Sequence, residues 1–412
     1  MTQASLPLAA ARTAALHVQG LTTPPGAEPA PTLDTIYDTV ARIGCVQIDT
    51  LHMVHRSHYL TLWSRLGQYD IADFDRLIYD PDHRRLYEYW MHAASIIPLA
   101  NYRYQEPTRQ HLRDSGGWWP DWIKQPENQE LVAAVLARIQ EEGGLRSADF
   151  KTDKAQRGSW WNWKPAKRAL EYLYNAGDVM VSNRVNFQRV YDVKERVLPD
   201  WVDTDGASAK ESHRWHCTES ARALGLAGAR AIADYMHTKI GTVRPIVEGL
   251  VEEGVLVPVE SEVHGGETAT LFAHRDNLPL LEQAADGAIQ ALRTTFLNPF
   301  DNLVWAKDRV EQLWGFRQTL EAYKPAKDRI WGYYCLPILW RDGLVGRFDP
   351  KLERKTGTLR LKALYLDVTP EDALLADIAA AMRDFLAWHD AHDLVIERSE
   401  PTDVGEKLLA VL

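Results

Sequence analysis

A glutamine and an aspartate stand two residues apart in "GCVQIDTLHMVHRSHYLTLWSRLGQYD", residues 44–70, between Val46, Ile48 and Leu51. Polar groups on a half-buried strand cost free energy unless they meet water or a partner. Strand alternation turns Gln47 and Asp49 to one face and Val46 and Ile48 to the core. Their tips would then lie ~5–7 Å apart. A carboxylate so placed can take a proton from water or stabilise a developing cation, while the amide orients that water. The competing reading makes Asp49 the cap of the next helix and leaves Gln47 solvated.

The same stretch carries His52, His55 and His58 at intervals of three, and "HRWHC" adds His213, His216 and Cys217. Both groups offer zinc donors. Neither shows a ligand spacing with an accompanying second set, so no metal and no cofactor are expected. A metal hydrolase built on these histidines is the weaker alternative. Arg56 and His58 are candidate DNA contacts.

The elements that must position these groups follow from periodicity. Helices are expected near 6–18, 32–43 and 59–67, the last closed by Gly67. "NQELVAAVLARIQEEGGLRSADF" reads as a helix ended by Gly143-Gly144, with Ser147 capping a short second one. "WKPAKRALEYLYNAG" is a third, with Pro165 near its start and Gly177 at its end. "DVMVSNRVNFQRVYDV" then alternates as two strands around a turn. Helix, helix, helix, hairpin is the order of a winged helix.

A second copy follows, with helices near 211–224 and 228–237, then "TVRPIVEGLVEEG" and strands on either side of Gly265-Gly266. Leu173-x3-Gly177-x-Val179 matches Leu250-x3-Gly254-x-Leu256 at the same point in both. Beyond residue 330 the pattern alternates, with hairpin turns at Asp342-Gly343 and Thr356-Gly357. That predicts an antiparallel, barrel-like sheet with an amphipathic helix over about 370–389 packed on it. The fold class expected is α+β, mostly helical. Its segments are 1–126, 127–196 and 197–285 as winged-helix units, and 286–412 as the barrel-like domain.

The chain has 412 residues, 45% hydrophobic and 25% charged, which is ordinary for a globular protein. Cys45, Cys217 and Cys335 lie far apart and form no CxxC pair, so a reduced, cytoplasmic protein is expected. No membrane span or signal-peptide layout is apparent. The net charge of −10 is unevenly spread. Residues 366–412 hold eleven Asp and Glu against three Lys and Arg, whereas 151–196 hold five against ten. Phosphate binding follows local fields, so DNA is not excluded. Lys164, Lys167 and Arg168 on the central third helix, with Arg184 and Arg189 on its wing, could meet phosphates. The alternative is an ordinary solvated charged face.

The opening stretch, "LYEYWMHAASIIP", "GSWWNWKPAKRALEYLYNAGDVMV", "LNPFDNLVWAKDRVEQLWGF" and "WGYYCLPILWRDGLVGRFDPKLERKTGTL" together resemble the bacterial YcaQ/AlkX-like and AlkZ-like DNA glycosylases. The resemblance runs from about residue 8 to beyond 365. It implies three tandem winged helices held by a C-terminal β-barrel domain. It also implies monofunctional removal of alkylated bases and unhooking of interstrand crosslinks in double-stranded DNA. The family motif, Gln-apolar-Gln or Gln-apolar-Asp, reads here Gln47-Ile48-Asp49, which points to the AlkX-like branch with Gln47 and Asp49 catalytic. Tyr89, Trp90 and His92 would lie near an open cleft. Many relatives carry Glu after the histidine, where Ala93 stands here. Nothing calls for a dimer, and a monomer is expected. A winged-helix regulator that binds DNA without cutting it remains the alternative function.

Overall fold

The computed structural model describes residues 5–24, 26, 29–117, 119–150 and 165–412. They form two compact units, one of Met1–Ile71, Met91–Ser95 and His216–Leu412, the other of Ala72–Trp90 and Ile96–Trp215. The fold is mixed α and β. Among the described residues, no helix is long and apolar enough to cross a membrane.

The first unit begins with the alanine-rich helix Leu8–Val18. Ala11, Ala14 and Ala15 are fully buried and share one apolar cluster with Leu303, Val304 and Leu313. The helix Leu33–Ile43 follows, capped by the Thr32 hydroxyl, which accepts the Thr35 N–H. Gly44 then turns the chain at φ +81° into the strand Val46–Gln47. The next helix, Ser57–Leu66, ends at Gly67.

Further along this unit, the helices Ala229–Tyr235 and Ile240–Glu252 precede a hairpin of Leu256–Glu262 and Thr268–His274. Ile232, Val243, Val247, Leu250 and Leu256 share one apolar cluster there.

The C-terminal sheet orders its strands as Asp393–Ile396, Thr358–Leu366, Gly343–Glu353, Leu336–Trp340 and Thr294–Phe296. The expected hairpins at Asp342-Gly343 and Thr356-Gly357 are present, but the sheet is mixed rather than wholly antiparallel. Asp393–Ile396 and the short Ser399–Glu400 both run parallel to Thr358–Leu366. The reason is the intervening helix Asp372–Trp388, because a strand reached through a helical crossover returns in the same direction. Phe296, Phe348 and Phe385 interlock beneath it at centroid distances of 4.8 to 6.3 Å. Pro350 sits in a middle strand where it cannot donate, and the register slips between Asp349 and Pro350 to accommodate it.

In the second unit, the helix Pro126–Glu142, the short turn Ser147–Asp149 and the helix Pro165–Ala176 lead to a hairpin, Val179–Val185 with Gln188–Val193. The helices and hairpin follow the expected order, but a short strand, Leu145–Arg146, precedes the turn and pairs with Gln188–Val193, and Arg146 rather than Ser147 holds the cap position. Its polar centre is Glu88, 1% exposed, on the strand Leu86–Trp90. Arg184 grips the carboxylate through Nε and a terminal nitrogen at 2.6 and 2.7 Å, Arg189 reaches it at 3.3 Å, and the Tyr79 hydroxyl donates at 2.8 Å. Burial pushes this carboxyl up, but the Arg184 hydrogen bonds and the two guanidinium charges outweigh burial and hold it near about 2.

Candidate active site

The strand that carries the paired polar groups is shorter than alternation suggests. It ends at Gln47, and Ile48 continues the pairing through its N–H, which donates to the Ala94 carbonyl at 2.8 Å. Val46 and Ile48 are buried, while Gln47 and Asp49 are half-exposed, so the in-out alternation holds through Asp49. Asp49 itself lies in the following turn, where Oδ1 accepts the Leu51 N–H at 2.7 Å. It caps that turn and no helix. The next helix starts eight residues on, at Ser57, with Arg56 in the cap position.

The backbone on either side is clamped from far along the chain. Asn302 donates through Nδ2 to the carbonyls of Ile43 and Cys45 at 3.2 and 2.9 Å. The Ser57 hydroxyl donates to the Gln47 carbonyl at 2.8 Å, and Asn298 Nδ2 reaches the Thr61 hydroxyl at 2.7 Å. Between these two asparagines, Asp301 forms a two-pronged pair with Arg65 at 2.7 and 2.9 Å, with both side chains at most 1% exposed. Leu352 N–H donates to the Met53 carbonyl at 2.9 Å, and Arg354 bonds the Val54 carbonyl. The turn bearing Asp49 is therefore held by side chains and backbone rather than left mobile.

Burial raises the Asp49 carboxyl above the usual carboxylate range. The N–H groups of Leu51 and Thr50 and the Arg56 charge oppose this without cancelling it. A carboxylate lifted in this way is a better proton acceptor at neutral pH, which is what a general base requires. Its charge is also felt by the phenols of Tyr323 and Tyr334.

A profile of the AlkZ-like DNA glycosylase family matches residues 40–388. The chain belongs to the AlkZ-like DNA glycosylase family. It is thus a DNA glycosylase and a DNA-repair enzyme rather than a non-catalytic regulator. The fold is similar to that of the solved Streptomyces sahachiroi DNA glycosylase AlkZ, with a TM-score of 0.62 at 15% identity over 97% of this chain and 100% of that one.

The other expected site residues of this glycosylase fall in different places. Arg56 stays beside Asp49 and donates to the Thr50 carbonyl at 3.2 Å. His58, expected as a DNA contact, is only 5% exposed and packs its ring on Tyr59 at 4.1 Å, so burial removes it from a DNA-facing role. His52, His55 and His58 do not share a helix, because only His58 lies within one. His52 Nε2 pairs with Arg354 at 2.8 Å. Burial pushes His55 down to about 3 and His389 to about 4, so both are neutral at physiological pH. Among the described residues no group of three or more His, Cys, Asp or Glu is arranged to hold a metal ion.

The basic residues of the second unit are largely engaged with neighbours. Arg184, expected on DNA, is spent on Glu88 with its side chain 12% exposed, because a buried carboxylate demands its cation. Arg189 shares that role. Lys167 sits 3.6 Å from Glu171, and Arg168 lies over the rings of Trp119 and Trp122. Lys164 lies outside the described residues.

Tyr89, expected near the cleft, is 3% exposed and gives its hydroxyl to the Asn175 carbonyl, so it is core. Trp90 donates to the Asn175 side chain at 2.7 Å. His92 belongs to the first unit, stacked flat on Trp305 at 4.1 Å beside His237. There it lines a cleft of about 470 Å³ with Arg230, Lys239 and Lys307.

Residue type alone did not disclose the part that Asn302 and Asp301 play in bracing this segment. The run "LNPFDNL", with its two asparagines and an aspartate in an apolar setting, was the available signal for both.

Proposed function

We propose that this enzyme hydrolyses the N-glycosidic bond of N7-alkylated purines and unhooks interstrand crosslinks, with Asp49 and Gln47 as its catalytic residues. The observation that carries the reading is the half-exposed Asp49 carboxylate, raised by burial and fixed by its turn, with Gln47 on the same side of the chain. An N7-alkylated guanine is already cationic and leaves as a neutral base, so no general acid is needed. The bond pair goes to the base, the sugar gains oxocarbenium character, and Asp49 stabilises that charge. Water then adds to the anomeric carbon and gives its proton to Asp49. Gln47 orients the water or the sugar.

A crosslinked base cannot swing fully out of the duplex into a closed pocket, as most glycosylases require. An open site on a half-exposed turn suits such a substrate. In this reading 1–126, 127–196 and 197–285 act as winged-helix segments and 286–412 as a barrel-like support. Helix-helix-hairpin order in the second and third segments supports it. The enzyme works on double-stranded DNA as a cytoplasmic monomer.

The test is a gel assay on a nitrogen-mustard crosslinked duplex. Unhooked strands bearing alkali-labile abasic sites are expected. Intact crosslinks after prolonged incubation with excess enzyme overturn the crosslink reading. Failure to release N7-methylguanine from a monoadduct duplex overturns the lesion class.

A further inference from the structure

The segment 321–333 carries two large apolar side chains held out in solvent. Tyr323 is 77% exposed and Ile330 is 68% exposed. Leaving such groups in water forfeits the free energy of burying them. A slack loop would fold them onto the surface, but this loop is stapled. The Glu321 carboxylate, itself 2% exposed, accepts the N–H groups of Ile330, Trp331 and Gly332 at 3.0, 2.8 and 3.4 Å. Arg329 Nε forms a second strut to the carbonyls of Glu321 and Lys324 at 3.2 and 3.0 Å.

The far end is fixed as firmly. The Asp349 carboxylate accepts the N–H groups of Tyr333 and Tyr334 at 2.8 and 2.9 Å. A Cβ at position 332 would stand 2.3 Å from that same carboxylate, so only glycine permits the approach. The loop is thus preorganised with its ring displayed, and preorganisation lowers the cost of binding.

The loop lies against the segment that follows Asp49. Met53, four residues beyond Asp49, lines a cleft of about 430 Å³ together with Ala326, Arg329, Ile330 and Tyr333. The Tyr323 phenol lies within electrostatic reach of the Asp49 carboxylate. Lys327, exposed on the same loop, supplies positive charge toward a phosphate backbone, whereas Lys324 is paired with the buried Glu321 carboxylate at 2.9 Å.

We propose that Tyr323 is the lesion-reading residue of this glycosylase, its ring stacking on the cationic purine whose sugar faces Asp49. The inference rests on the function proposed above, because it takes Asp49 to mark the reacting sugar. An alkylated purine is a flat π-system bearing positive charge. It gains from base–aromatic stacking and from the attraction of a cation to an electron-rich ring.

Single-turnover release of N7-methylguanine from duplex DNA tests this with Tyr323→Ala, Tyr323→Leu and Tyr323→Phe. The Ala and Leu proteins are each expected to release the base ~10–100-fold more slowly at saturating enzyme, with affinity for undamaged duplex unchanged. The Phe protein keeps the ring and recovers most of the rate. A Leu protein as fast as the Phe protein overturns stacking and makes the residue a plain wedge. An Ala protein at the wild-type rate overturns the proposal altogether while leaving Asp49 in place. No release by the wild-type enzyme sinks both readings at once. Because Tyr323 is exposed, melting curves of all three variants should match the wild type.

Discussion

Glu88 and Asp49 are both carboxylates on or just beyond short strands, yet the molecule surrounds them in opposite ways. Glu88 is fully buried, takes hydrogen bonds from two arginines and a tyrosine, and is held down to about 2. Every lone pair it could offer a substrate is committed. Asp49 accepts the Leu51 N–H at 2.7 Å, stays half-exposed, and is shifted upward. A carboxylate surrounded by donors is a structural anion. One that is desolvated with fewer partners keeps its basicity for a reaction.

The contrast can be broken most forcefully at Glu88. Glu88→Ala strands two guanidinium groups and should cost ~3–5 kcal/mol of stability, read as a lower urea midpoint. The fraction that remains folded should release base normally, and a specific loss of chemistry there would erase the distinction. Asp49→Asn should do the reverse. Base release falls ~10²–10³-fold while the urea midpoint barely moves, and full activity would remove Asp49 from the mechanism. Gln47→Ala should cost less, about 10-fold, since an amide only orients water or sugar through hydrogen bonds.

Two pH profiles sharpen the comparison further. The acid limb of kcat/KM should lie above the ordinary aspartate value of 3.8, because Asp49 must be ionised to act and its carboxyl is raised. Stability should follow other groups. His55 and His389 have folded values of about 3 and about 4, below the unfolded 6.5. The unfolded chain therefore gains protons first, and stability declines as pH falls from about 6.5 toward 3. Glu88 adds a loss of its own between 4.5 and about 2. Urea midpoints that stay flat from pH 7 to 5 would contradict the histidine assignment.

Much of the local structure was legible in the sequence. The helices Leu33–Ile43 and Asp372–Trp388 fall within two residues of expectation, since apolar period and capping residues are local signals. The turns at Asp342-Gly343 and Thr356-Gly357 were equally plain. Availability was not legible. Arg184 looks like a phosphate ligand until Glu88, nearly a hundred positions away, is seen to consume it. The same holds for Asn302, whose hold on Cys45 spans more than two hundred residues and leaves no periodic trace. Strand length misled as well. Alternation of side chains persists to Asp49, but backbone pairing of the named strand stops at Gln47. The parallel edge strands were missed because hydropathy does not encode strand direction.

The clamps around Asp49 also order events during synthesis. Asn302, Leu352 and Arg354 fasten the backbone before and after the aspartate, and all three are made some 250 to 300 residues later. A nascent chain that has emerged only through its first helices carries Asp49 on an unbraced segment. The clamps on that segment form only after residues 302 to 354 have been made. Under the proposed mechanism, a chain cut short before residue 302 lacks these clamps and should release no base.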